Sequence, residues 1–216
     1  MKSETKQKVL QRCGWLGVAA VVFYFAHVIV GNILYSGYDP VKQAISDLTA
    51  GGSPAELPAR ILSGFYGLFA IAFAVAFYLF FGKKLGCAFS IGAVLWIAMN
   101  AVSAIGYTLF PLSEGGKNSF QDVMHLLTTG LVVALSIASL ILFAIGFLRT
   151  GKYKTLGYVT IGTLVLMASG SILSGAAPSI MGIGERICIY ALQSFAIVLA
   201  IFMLKHTKAE PDSDKA

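Results

Sequence analysis

Six long apolar runs, separated by short polar stretches, constrain this chain more than any other feature. The runs are Gly14–Tyr35, Ile61–Gly82, Leu85–Phe110, Val123–Leu148, Leu156–Ala176 and Ile187–Leu204. Each lies near the ~20 residues that carry a helix across a ~30 Å hydrocarbon core. Backbone amides in that core must bond within the chain, which favours helices. The pattern predicts an all-α polytopic membrane bundle of six transmembrane helices. Composition agrees, because 12% of residues are charged, about half the ~25% of a soluble domain. The transmembrane domain covers residues 13–205, between a basic N-terminus (1–12) and a polar tail (206–216). The first run exceeds the ~7–15 apolar residues of a signal peptide and reads as a retained helix.

Basic residues orient the bundle. Lys2, Lys6, Lys8 and Arg12 precede the first run, and Lys83 and Lys84 separate the second from the third. Arg149, Lys152 and Lys154 follow the fourth, and Lys205, Lys208 and Lys215 follow the sixth. The alternate loops hold only Lys42, Arg60, Lys117 and Arg186. By the positive-inside rule both termini are cytoplasmic, in a multi-pass protein of the plasma membrane. Orientation also accounts for the net charge of +6. No basic stripe with interleaved aromatics occurs, so nucleic acid is not an expected partner. Cys13, Cys87 and Cys188 are odd in number and lack a Cys-x-x-Cys pair, which argues against a disulfide framework or a cysteine-rich zinc site.

The outer loops carry the chemistry. In Ser36–Arg60, Asp39-Pro40 is a helix start, and Val41, Ala44, Ile45 and Leu48 would share one face of a short interfacial helix over Pro40–Leu48. Gly51-Gly52 would end it, Ser53-Pro54-Ala55-Glu56 reads as a capping box, and Pro58 would bend or break the start of the second span. In the second outer loop, Gly115-Gly116 marks the turn, while Ser119 and Asp122 suit the cap and third position of the fourth span. The third, Ala177–Arg186, ends in Glu185-Arg186.

The string Tyr38-Asp39-Pro40-Val41-Lys42-Gln43-Ala44-Ile45-Ser46-Asp47-Leu48, then Gly51-Gly52-Ser53-Pro54, resembles the signature of a prokaryotic membrane family known as domain of unknown function 998. Phe110-Pro111 with His125 downstream, and Gly184-Glu185-Arg186, resemble it too. The resemblance covers nearly the whole chain and implies a six-span fold without an assigned reaction. Members often carry an acid shortly after the proline of the second outer loop, where Glu114 stands here. The Ile45-Ser46-Asp47 core is similar, more weakly, to DRAM and Frag-type six-span proteins, some of them linked to lipid handling.

His27, Asp47, Asp122, His125, Glu185 and Arg186 all fall on the outer half and are the candidate polar pocket. An ionisable group within a span is a functional candidate by default, with a neutral, hydrogen-bonded imidazole as the plain reading of His27. Asn100 reads as a bond between helices. Asp122 and His125, three residues apart on one helical face, could join His27 in a metal site, although no recognised ligand spacing is present. No cofactor is otherwise predicted. Arg186 stands on the outer side and near a helix N-terminus, so it needs an acid partner such as Asp47 or Asp122, or a lipid phosphate. The leading reading is a protein that handles a lipid or other amphiphile at this outer pocket. The alternatives are an intramembrane hydrolase or transferase using a metal or an acid–base pair, a small transporter, and a structural membrane partner. Membrane lipids are the expected partners, and the oligomeric state is left open.

Overall fold

A computed structural model describes residues 3–82, 84–113 and 119–206. Lys2, Lys83, Glu114, the Gly115-Gly116 turn, Lys117 and the tail with Lys208 and Lys215 lie outside them. The elements are α1 (Ser3–Arg12), α2 (Gly14–Leu34), α3 (Glu56–Phe81), α4 (Gly86–Leu109), α5 (Phe120–Arg149), α6 (Lys154–Ala176) and α7 (Met181–Lys205), with short 3₁₀ turns at Ile45–Thr49 and Pro178–Ile180. Six of the helical segments are long and apolar enough to cross a membrane. The protein is a multi-pass α-helical membrane protein.

Consecutive spans pack as neighbours, and α2 also packs on α7, so the six close into a ring. The termini share one end of it, where Gln11 Nε2 donates to the Leu204 carbonyl at 2.7 Å. The first, second and third inter-span loops of the opposite side form the loop end.

The two ends are built differently. Toward the termini, Phe73, Phe77, Phe81, Phe89, Phe143 and Phe147 are fully buried, with Trp96 edge-on to Phe73, Phe77 and Phe143. Edge-to-face rings at centroid separations of 5.6 to 5.8 Å are in the favourable range for aromatic pairs. On α3, Phe73 and Phe77 lie in this core, whereas Phe65, two turns earlier, is exposed. Glycines on these helices serve two different surroundings. Gly170 and Gly184 let α6 and α7 cross with backbones in contact, and Gly67 abuts Ala104. Gly64 and Gly175 face open space.

The loop end departs from the sequence expectations in three places. Pro40–Leu48 is not an α-helix: it is turns followed by the 3₁₀ segment Ile45–Thr49. Local side chains take the amides that a helix would use. Asp39 Oδ1 accepts from Val41 N, Gln43 Oε1 from Asp39 N, and Asp47 Oδ2 from Ala44 N. Ile45 and Leu48 are buried as expected, whereas Val41 is exposed. Pro58 neither bends nor breaks α3, because it lies in the first turn, where a missing N–H costs nothing. The capping residues before it act one step apart, Ser53 Oγ accepting from Ala55 N and Glu56 Oε2 from Gly52 N. The last span starts at Met181, several residues earlier than its hydropathy suggests, so most of the expected third loop is helical.

Candidate functional site at the loop end

The signature loop is clamped to the start of α7. Glu185 and Arg186 lie in the second turn of that helix, and each holds backbone of the loop. Glu185 Oε2 accepts from Ile45 N at 2.7 Å. Arg186 donates to the Gln43 carbonyl at 3.1 Å, to the Gly182 carbonyl at 2.9 Å and to the Tyr38 hydroxyl at 2.6 Å. That hydroxyl in turn donates to the Ala44 carbonyl at 2.7 Å, and the guanidinium lies 5.6 Å from the Tyr38 ring centroid. Burial pushes the Tyr38 hydroxyl up to about 12, against the opposing effect of Arg186, so it stays a neutral donor. Arg186 is thereby explained without an acid: among the described residues its partners are two carbonyls and a hydroxyl, not Asp47 or Asp122. The ion pairs found there are Lys42–Asp39 and Arg60–Glu56.

Close approach makes this clamp possible. A Cβ on Gly182 would fall within 2.5 Å of the carbonyl oxygens of Gln43 and Pro40. Ile183 N donates to Val41 O beside it. The far side of the loop is tied as well, by Gly51 N to the Leu112 carbonyl at 2.8 Å.

The second loop is organised by Asp122. It is the third residue of α5, and Ser119 is the N-cap, as the sequence indicates. Ser113 N, Ser113 Oγ and Ser119 Oγ all donate to the Asp122 carboxylate, at 2.8, 2.6 and 2.7 Å. Asp122 is therefore occupied in holding its own loop. One turn along, His125 is buried against Tyr107, with ring centroids 4.9 Å apart. Its Nδ1 is 2.8 Å from the Phe110 carbonyl. A carbonyl only accepts, so Nδ1 carries the proton and Nε2 the lone pair.

Asp47 lies within electrostatic reach of this imidazole. Burial raises the Asp47 carboxyl above its ordinary range, while the Ala44 amide and the His125 ring oppose that shift. Glu185 lies within electrostatic reach of Asp47, Tyr24 and Tyr107. Asp47 thus lies within electrostatic reach of both His125 and Glu185, and Arg186 secures the loop that carries it. His27 stands apart from these contacts. It is buried on α2, edge-on to Tyr24 at 4.8 Å, and neither its Nδ1 nor the Tyr24 hydroxyl finds a partner. The His27, Asp122 and His125 triad is not assembled, and among the described residues no three His, Cys, Asp or Glu side chains gather to hold a metal ion.

One other sequence reading changes. Asn100 bonds the Trp96 carbonyl of its own helix, not a neighbour. Gln193 was unremarked, yet it is buried and donates to the Tyr66 hydroxyl at 3.1 Å, joining α7 to α3. An amide within an apolar run was the available signal. Tyr38 carried no signal of its own as the Arg186 partner, since that pairing spans 148 positions of sequence.

No curated protein and no solved structure matches the chain. The family model described as protein of unknown function (DUF998) matches residues 18–202. That stretch runs from the first span to the last and contains both halves of the clamp, so the chain belongs to the DUF998 family.

Proposed function

We propose that the protein holds the polar group of a lipid or other amphiphile at its loop end, the end that the alternation of basic residues turns outward. The observation that carries this reading is His125, whose Nδ1–H is held by the Phe110 carbonyl so that Nε2 keeps its lone pair, with Asp47 within electrostatic reach. Fixed polar groups in an apolar bundle are costly unless they are used. The groups at this end are mainly acceptors: the imidazole lone pair and the carboxyl oxygens of Asp47 and Glu185. They suit a headgroup with hydroxyl or ammonium donors, whose apolar chains would lie along the helices. The aromatic packing of the termini half disfavours a channel along the bundle axis.

A second reading rests on the same imidazole. A histidine whose Nδ1–H is held by an acceptor keeps Nε2 unprotonated in the neutral ring, which is what a general base requires. An acid–base hydrolase or transferase acting on the bound amphiphile would use it.

The test is lipid analysis of protein purified in mild detergent, wild type beside His125→Gln and Asp47→Asn. An enriched amphiphile in the wild type, depleted about tenfold in both variants, is expected for the loss of one buried polar contact each. Equal lipid profiles in all three would refute the binding reading. Turnover of the enriched species by the wild type alone would favour the second.

A further inference from the structure

The termini end carries a second cluster of polar groups, independent of the loop-end site. His206 follows α7, and its ring lies among Phe80, Phe81, Phe202 and Tyr153 at centroid separations of 5.5, 5.2, 5.5 and 6.2 Å. Two lysines from different inter-helix turns close over the same aromatic floor. Lys84 Nζ, after α3, is 4.5 Å from the Phe80 centroid, and Lys152 Nζ, after α5, is 5.9 Å from that of Tyr153. Burial and then the charges of Lys84 and Lys152 push the His206 imidazole below its ordinary value, so both lysines lie within electrostatic reach of it.

Nothing described at this end offsets that convergence. Lys84 and Lys152 are in no ion pair among the described residues, and the described acidic side chains, Asp39, Asp47, Glu56, Asp122 and Glu185, all belong to the loop end. The positive-inside rule accounts for lysines on this side. It does not account for two of them lying within electrostatic reach of one half-buried imidazole. Like charges brought together repel, and an anion between them converts the cost into attraction.

We propose that Lys84, Lys152 and His206 form an anion site that binds a phosphate group, presented by an anionic lipid headgroup or by free phosphate. The aromatic floor gives the lysine stems an apolar bed and leaves their ammonium groups directed at the headgroup layer. Two lysines and an imidazole from three separate connections would tie those ends of α3, α5 and α7 to one ligand.

The full chain in neutral detergent is titrated with phosphatidylglycerol, phosphatidylcholine or inorganic phosphate, and binding is read by native mass spectrometry and by thermal stabilisation. Phosphatidylglycerol is expected to bind in preference to phosphatidylcholine. Competition by inorganic phosphate would assign recognition to the phosphate itself, and its absence would assign it to the lipid. Each of Lys84→Gln and Lys152→Gln should weaken binding roughly fivefold, as for one basic group near an anionic surface. Lys42→Gln, at the other end, should leave it unchanged. Both lysines are exposed, so the variants should fold, with melting in ligand-free detergent as the control. Equal binding of both lipids, or equal losses in the Lys42 and Lys84 variants, would overturn the site.

Discussion

At the residue scale, the polar groups of the loop end divide into those that build and those that are left over. Arg186, Asp122 and Ser119 spend their hydrogen bonds on backbone, on neighbouring hydroxyls or on one another. Asp47 is different, because its carboxyl is raised by burial. The sign of its contribution follows. A carboxyl with a folded pKa above its unfolded value binds its proton more tightly when folded, so stability is greatest below the unfolded pKa and declines as pH rises through the folded one. Asp47→Asn keeps an oxygen to accept the Ala44 amide and removes the titration. Melting of wild type and variant between about pH 4 and about pH 7 should therefore show the variant gaining on the wild type as pH rises. A gap independent of pH would mean that Asp47 is not buried as described.

At the element scale, the clamp between the signature loop and α7 is the decisive contact. It depends on Gly182 more than on any turn glycine, since a methyl group there would meet two backbone oxygens that cannot swing aside. Gly182→Ala should cost about 1–3 kcal/mol, the usual range for overpacking. The loss should be seen as a lower melting temperature and faster amide exchange over residues 38–49. Gly175→Ala, on the same side of the bundle but facing open space, is the control and should change neither. If Gly182→Ala melts like wild type, the loop does not sit on α7 as described. Much of this element was legible in advance. Ser119 and Asp122 form the expected cap because capping is local chemistry within four residues. The Pro40–Leu48 helix failed for an equally local reason, the competition of Asp39, Gln43 and Asp47 side chains for the backbone. That competition could not be weighed without knowing that Glu185 and Arg186 would take the remaining polar groups from across the chain.

At the scale of the whole molecule, the halves have different tasks. Close-packed rings fill the termini half, and polar groups occupy the loop half under a tied cover. The alternation of basic residues predicts that the termini half faces the cytoplasm. Cysteine labelling of intact cells tests it: a cysteine at Lys42 should react with an impermeant reagent, and one at Lys152 should react only after permeabilisation, in a background lacking Cys13, Cys87 and Cys188. The reverse pattern would place the candidate amphiphile site inside the cell.

The amino-acid sequence alone determined six spans, their alternating direction and the N-cap of α5. Hydropathy and capping act over a few residues, so they can be read in order along the chain. Tertiary structure decided which polar groups meet. It sent Arg186 to Tyr38 and Gln43, occupied Asp122 with Ser113, separated His27 from His125, and brought Lys84, Lys152 and His206 together. Those outcomes depend on helices that pack side by side while lying far apart in sequence, and hydrogen bonds in a membrane bundle go to whichever partner the packing brings within about 3 Å.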